Sequence, residues 1–422
     1  MAKADRRMVD RMRMTTDVAV IGAGPSGSVA AAYLAARGYS VEVVERQHFP
    51  RFSIGESLLP QAMVFLEEAG LLDCVVAAKF QYKNGAVFRR GDEEQSLDFR
   101  DKSAPGWGTT FQVRRDLFDH VLANAAAEKG ARIAFGEEVI RFAPGDDRVW
   151  MLVRNESGSE REIAARFALD ASGFGRVLAR LLSLDRPANF PVRKAVFSHV
   201  RDHVSDVTFD RDKILVSVHP QNSDVWYWLI PLADGLSSIG VVGTEADLSA
   251  AGADNQAQLV NLLKSAERMS QVLENAEQIR PAGTITGYAC NVDRLSGPGF
   301  ALLGNAAEFL DPVFSSGVTI ALKSAILAGR ILDRKFRGEI VDWENEFERP
   351  LKVGIETFRA YVEGWYDASL QDVIFLQPKR RTDVTRKIIS VLAGYAWDLE
   401  NPFVREPRRH LAAVHQLVAA RA

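Results

Sequence analysis

Apolar and polar positions alternate between two periods along the chain. Residues 17–22, Asp-Val-Ala-Val-Ile-Gly, form a short apolar run of the kind that makes a strand buried on both faces. An Ala-rich helical stretch follows over residues 26–37 and stops at Gly38, a favoured C-terminal cap. Residues 39–45 make a second strand, so the segment predicts a right-handed βαβ unit. Helical spacing returns near residues 60–78 and 115–130, with a glycine-containing strand pair near 80–99 between them. Alternation through residues 132–153 predicts a small meander, and residues 167–173 another buried strand that ends in a glycine turn. From residue 194 to 242 the pattern is alternating and aromatic, which predicts an antiparallel sheet with one covered face. Residues 300–303 read as a buried strand leading into a helix over 317–332. Residues 342–422 read as helical, with Pro378, Pro402 and Pro407 as breaks.

Nucleotide-type strands on both sides of the aromatic sheet imply interleaved domains. The expected fold class is α/β. A Rossmann-like GxGxxG domain takes residues 15–80, 110–185 and 285–335. It is interleaved with an antiparallel-sheet substrate domain of residues 81–109 and 186–284, and residues 336–422 add a helical C-terminal tail. The 422 residues are 47% hydrophobic and 25% charged, which excludes a disordered or coiled-coil chain. Lys and Arg number 52 against 55 Asp and Glu, and a net charge of −3 gives no field to hold nucleic acid. Cys74 and Cys290 are too few for a disulfide framework, so a cytoplasmic location is expected. The basic residues 1–14 are expected to be a frayed leader, because the apolar run after them is short and ends in a glycine pattern; no run reaches the length of a membrane span.

That pattern is Gly22-Ala-Gly-Pro-Ser-Gly27, placed after a strand and opening a helix. Gly22, Gly24, Ser26 and Gly27 allow a tight turn and bring a pyrophosphate against the positive helix end, and Glu45, ending the next strand, can accept from ribose hydroxyls. Strand, helix and acid in this order predict dinucleotide binding. His199-Val-Arg-Asp-His203 has the spacing of two metal ligands but lies in the alternating region and lacks the HExxH glutamate, so no metal is expected. Lys379-Arg-Arg381 and the aromatic tail read as a solvated helix with a buried aromatic face.

Residues 51–57 with Gly55-Glu-Ser57, Leu169-Asp-Ala-Ser-Gly173, and Leu303-Gly-Asn-Ala-Ala-Glu-Phe-Leu-Asp311-Pro312 resemble the flavoprotein monooxygenase superfamily. The resemblance implies FAD, held by Arg46, Arg51, Ser57, Arg115, Asp170, Asn305, Asp311, Gly317 and Val318 in addition to the glycine turn. Trp226-Tyr-Trp228-Leu-Ile-Pro231, Lys83-Asn-Gly-Ala-Val-Phe88 and Asp311-Pro-Val-Phe-Ser-Ser-Gly-Val318 are similar to three segments of the flavin-dependent halogenases. This narrower resemblance implies Lys83 as the residue that takes up and delivers an electrophilic halogen. It implies Trp226 and Trp228 as a wall between flavin and substrate, and Ser315, Ser316 and Gly317 as the halide site. A single glycine motif and no second one implies a separate flavin reductase that supplies FADH2. The substrate implied is an electron-rich phenol or pyrrole, free or on a carrier protein, with chloride or bromide as co-substrate.

Two departures shape the expectation. Asn305 stands where relatives carry an Asp, which weakens a contact to the ribityl chain. Phe314 stands near an acidic position of tryptophan halogenases, which disfavours free tryptophan as substrate. Geranylgeranyl reductases carry a similar aromatic-x-Trp string, so an FAD monooxygenase or an ene-reductase on an apolar substrate stays open, as does a degenerate flavoprotein.

Overall fold

The computed structural model describes residues 13–188, 190–375 and 382–420. Pro378 and the basic run Lys379–Arg381 lie outside the described residues, as do residues 1–12 of the expected leader. Arg13 and Met14 already belong to the first strand, Arg13–Ile21, because they pair in register with Glu162 and Ile163.

Five parallel strands form the centre of the first sheet, in the order Phe300–Leu302, Glu160–Asp170, Arg13–Ile21, Val41–Glu45 and Arg132–Phe135. The strand Val41–Glu45 is buried at every position, as expected of a parallel strand covered on both faces. Helix Pro25–Ala35 links the first two strands and is itself buried over Pro25 to Leu34, which is why its small alanines suit it. Helix Ser316–Phe336 packs against it, and Gly329 sits so close to the Tyr33 ring that an added Cβ would lie 2.6 Å away. The meander is the antiparallel pair Glu137–Ala143 and Val149–Asn155, joined to the long strand Glu160–Asp170.

The second sheet runs Glu277–Gln278, Lys194–Arg201, Leu236–Gly243, Asn222–Leu232, Lys213–His219, Gly85–Arg90 and Glu93–Asp98. The strands within residues 194–243 pair antiparallel, as expected, and the sheet adds two features to that expectation. Gly85–Arg90 runs parallel to Lys213–His219, so the sheet is mixed. Both of its faces are covered: Val196, Leu215, Tyr227, Leu229 and Val241 pack on helices Glu245–Ala251, Asn255–Ser265 and Glu267–Val272, while Trp226, Trp228 and Ile230 face the other way. The segment near 80–99 is three strands rather than two, since Gln81–Lys83 leaves the sheet to pair with Thr110–Gln112. In the tail, Pro402 and Pro407 open helices Pro402–Arg405 and Pro407–Ala419 at positions where the missing N–H costs nothing, so they start elements as well as break them.

Gly240 makes room for an indole: a Cβ there would lie 2.3 Å from the Trp228 ring. Gly240→Val is expected to rotate Trp228 out of place, shift the tryptophan emission and destabilise the fold by about 1–3 kcal/mol. An unchanged emission spectrum would show that the sheet absorbs the extra volume.

Candidate functional site

The two sheets face each other across a cavity lined by residues from both. One end is polar and formed by the glycine turn, the other apolar and formed by the aromatic strand.

At the polar end Gly22 has φ +97° and lies against the Ala171 carbonyl, where an added Cβ would come within 2.6 Å. Gly27 lets the helix lie on its own turn, since a Cβ there would meet the Gly22 oxygen at 1.9 Å; it packs behind the cavity rather than lining it. Gly24 lines the cavity, and no side chain caps the helix that begins at Pro25, so its first N–H groups are free to hold an anion. The Glu45 carboxylate accepts from the Ala23 N–H at 2.8 Å and the Gln47 N–H at 2.9 Å. Each oxygen keeps a lone pair for a ribose hydroxyl. Arg115 donates to Asp119 at 2.7 and 2.9 Å and to the Ile54 carbonyl at 2.7 Å, and Arg51 donates to the same aspartate at 3.1 Å. This buried fork-to-carboxylate pair fixes the loop that carries Arg51, Glu56 and Ser57 along the cavity. Ser26, Arg46, Asn305 and Val318 line it as well.

Asp170 stands apart from that set. It does not line the cavity; its carboxylate accepts from the Ser172 and Leu178 N–H groups and fastens the strand end to the following turn and helix. Burial raises its pKa. Asp311 is also buried behind the wall, where it accepts from the Val313 N–H at 3.0 Å, the Tyr366 hydroxyl at 2.8 Å and the Tyr288 hydroxyl at 3.3 Å, and burial raises its pKa too. Both aspartates serve the turns that shape the cavity.

At the apolar end Trp226 and Trp228 project from one face of a strand with ring centres 5.9 Å apart. The Trp226 indole donates to the Tyr366 hydroxyl at 3.0 Å, and the Trp228 indole to Ser238 Oγ at 3.1 Å. Trp226, Tyr366 and Asp311 thus tie the aromatic strand, the helix Arg349–Tyr366 and the turn at Pro312 together. Ser315, in the left-handed region at φ +56°, precedes helix Ser316–Phe336 without capping it by its side chain. Ser315 and Gly317 face the cavity at this positive helix end, a place for an anion; Ser316 is buried beside them and does not line it. Phe314 meets Tyr361 and Trp365 edge-on.

Lys83 has no exposed surface. Its Nζ donates to Ser57 Oγ at 2.6 Å and to the Leu58 carbonyl at 2.9 Å, and the Phe99 ring lies 5.3 Å away. Ser57 lines the cavity and Lys83 does not, so the amine sits one side chain behind the wall. Burial brings its pKa down to about 7, which puts the neutral amine within reach near neutral pH. Lys79, four residues earlier, is exposed and plays no part in the cavity.

Sequence reasoning missed three participants. Glu56 and His199 form a buried pair, with His199 Nε2 and Glu56 Oε1 2.8 Å apart, and Tyr366 joins the site from a helix far along the chain. The Glu-Ser dipeptide before a predicted helix was the one available signal for Glu56. Among the described residues no cluster of His, Cys, Asp or Glu could hold a metal ion, and no helix is long and apolar enough to cross a membrane.

The residues present fit a flavin dinucleotide. An uncapped helix end behind an open glycine matches a pyrophosphate, Glu45 a ribose, and the apolar end a ring system, while the buried Glu56 Oε2 has no partner among the described residues. Residues 15–344 match the family model described as an FAD binding domain. The chain is 30% identical to the 1H-pyrrole-2-carbonyl-[peptidyl-carrier protein] chlorinase of Pseudomonas fluorescens over 94% of its own length and 93% of that protein's. Among solved structures it is similar to a flavoprotein/dehydrogenase from Cytophaga hutchinsonii, at 40% identity and a TM-score of 0.93, covering 96% of this chain and 99% of that one. It is similar also to the myxobacterial chondrochloren halogenase, at 27% identity and a TM-score of 0.76, covering 96% of this chain and 97% of that one.

Proposed function

The chain belongs to the FAD-binding domain family and, within it, to the flavin-dependent halogenases, and from that premise we propose that Lys83 is the residue through which it delivers halogen to an aromatic ring. The protein is an FAD-dependent oxidoreductase that halogenates an aromatic substrate. The ring is pyrrolic or phenolic and is presented free or on a carrier protein, and a separate reductase supplies FADH2 in the cytoplasm. Bound reduced FAD supplies, with dioxygen and halide, the oxidation of halide to hypohalous acid.

The chain's own residues do the rest. The helix end at Gly24 holds the pyrophosphate, with Arg51 and Arg115 shaping the loop beside it. The helix end at Ser315 and Gly317 holds the halide. Trp226 and Trp228 close the apolar end, which keeps the ring to be halogenated away from the cofactor and suppresses hydroxylation. One observation carries the reading: a fully buried lysine, held by a serine that lines the cofactor cavity and with no carboxylate partner among the described residues, is an arrangement that stability alone disfavours. An amine there can take halogen from hypohalous acid as a haloamine, or orient the acid by a hydrogen bond, and pass it to the ring.

The test is product mass. Phenols and pyrroles, free and carrier-bound, are incubated with FAD, a reductase, NADH, oxygen and bromide, and the bromine isotope doublet is expected. Products heavier by one oxygen or two hydrogens, with no bromide dependence, would replace this reading by a monooxygenase or an ene-reductase.

The lowered pKa of Lys83 adds a second expectation. Haloamine formation needs the neutral amine, whose fraction grows tenfold per pH unit below about 7 and levels off above it. Single-turnover bromination is therefore expected to rise with pH and bend near 7; a rate that falls through that range would show that the ammonium form acts.

A further inference from the structure

Oxidised FAD that has absorbed light is a one-electron oxidant, and the side chains around it decide where it takes that electron. Trp226 and Trp228 line the cofactor cavity with ring centres 5.9 Å apart, so either indole can supply the electron and the vacancy can pass between them. The two differ in what lies behind them. The Trp228 indole donates to Ser238 Oγ at 3.1 Å, a neutral hydroxyl. The Trp226 indole donates to the Tyr366 hydroxyl at 3.0 Å, and that hydroxyl donates to Asp311 Oδ2 at 2.8 Å. Indole, phenol and carboxylate form one line that leads away from the cavity.

A phenol gives up an electron readily only if its proton leaves in the same step, because an oxidised phenol that kept its proton would be a buried cation without hydration. Asp311 stands in line to take that proton. Burial holds the Tyr366 hydroxyl protonated until then and raises the pKa of Asp311, which makes the carboxylate a better acceptor. The other groups that face this pair are the Tyr288 hydroxyl, which donates to the same Oδ2 at 3.3 Å, the Val313 N–H, which holds Oδ1 at 3.0 Å, and Arg193. The Arg193 guanidinium lies 3.5 Å from the centre of the Tyr366 ring while it donates to Asp224. A cation there opposes positive charge on the ring, so the neutral radical, formed with loss of the proton, is the oxidised form the site accepts.

We propose that Trp226, Tyr366 and Asp311 form a proton-coupled electron relay that discharges photo-excited FAD. One electron leaves Trp226 for the excited flavin. An electron from Tyr366 refills Trp226 while the O–H bond of Tyr366 breaks and its proton bonds to Asp311 Oδ2, which leaves a neutral tyrosyl radical and a carboxylic acid. The flavin then returns its extra electron to Tyr366, the proton goes back from Asp311 to the phenol oxygen, and every group is as it was. The light energy leaves as heat, and no other oxidant or reductant enters. The relay spares an electron-rich aromatic substrate from being the electron source. It requires bound FAD and goes beyond the halogenase reading.

The experiment uses the FAD-loaded, oxidised protein without halide or substrate, excited by a laser flash and followed by flavin fluorescence decay and transient absorption. FAD affinity of each variant is read separately by titration. In the wild type the flavin emission is expected to be shorter-lived than that of free FAD, and a tyrosyl radical signal is expected to rise as the indole radical decays, more slowly in D2O than in H2O. Tyr366→Phe keeps the ring and is expected to lose the tyrosyl signal and leave the indole radical long-lived. Trp226→Phe is expected to lengthen the flavin emission and lose the tyrosyl signal as well. Asp311→Asn accepts a hydrogen bond but no proton, and is expected to lose the tyrosyl signal while the indole radical still forms. A tyrosyl signal that survives Tyr366→Phe overturns the proposal, as does a wild type that forms none or whose tyrosyl signal rises equally fast in D2O. A wild type that binds no FAD overturns the flavoprotein reading itself.

Discussion

Lys83→Met is expected to lower halogenated product at least about 100-fold while bound FADH2 is still oxidised and hypohalous acid still escapes to solvent. Methionine reproduces the lysine stem and removes only the terminal amine, so the cavity wall at Ser57 stays in place. The variant is also expected to be the more stable protein. In the folded chain Lys83 has a pKa of about 7, whereas an unfolded lysine titrates near about 10.4, so the unfolded state holds the proton more tightly. The resulting penalty is full below pH 7, shrinks as pH rises and vanishes above the unfolded pKa. At neutral pH it amounts to about 4 kcal/mol, against roughly 1–3 kcal/mol lost by leaving Ser57 and the Leu58 carbonyl without their donor. A net gain of roughly 2 kcal/mol follows, visible as a higher melting temperature at pH 6 to 7 that fades toward pH 10. More stability with less product is the signature of a group kept for chemistry. A variant that brominates at the wild-type rate would remove Lys83 from the mechanism.

Gly24→Val is expected to weaken FAD at least about 100-fold, close to 3 kcal/mol, with the fold intact. Gly24 has φ −68°, which any residue adopts, and a Cβ there would meet only the Arg51 Nη2 at 3.6 Å and Asp119 at 4.0 Å. Both are ordinary contacts, so the empty protein accommodates the side chain. A pyrophosphate lying on the helix end does not. Gly22 and Gly27 cannot serve for this test, because their added carbons strike backbone and the fold itself would give way. Fluorescence titration of FAD alongside circular dichroism of the free protein separates the outcomes. Unchanged affinity would mean that the phosphate lies elsewhere.

What the sequence made legible was local. The strand, glycine turn, helix and terminal Glu45 lie within thirty residues and carry their own pattern, so the polar end of the cavity could be read directly. Trp226 and Trp228 share a face because strands alternate, and Lys83 precedes a strand whose resemblance named it. The burial of Lys83 was not legible, since it depends on Ser57, Leu58 and Phe99 closing around one amine. Asp170 and Asp311 illustrate the opposite limit. Each ends or follows a strand at the cavity, a position that reads equally as a ligand or as a clamp on the turn, and only the hydrogen-bond partners distinguish the two. His199 carried a misleading pattern. It has the spacing of a metal pair with His203, but His203 lies beyond the strand Lys194–Arg201 and the His199 imidazole is bonded to the distant Glu56.

The order in which strands neighbour one another bears on how the protein comes into being. Val18 lies beside Phe167, and Ala168 beside Phe300, so the central sheet joins segments made at very different times. Such long loops cost entropy before any contact rewards them, which slows folding and leaves strand edges open while the chain is still short. The glycine turn emerges early from the ribosome, but the helix at Ser316 that completes its cavity emerges only after three quarters of the chain. Cofactor captured at that point would lock together two halves that had to wait for each other, so expression yield is expected to depend on how much flavin the host cell holds.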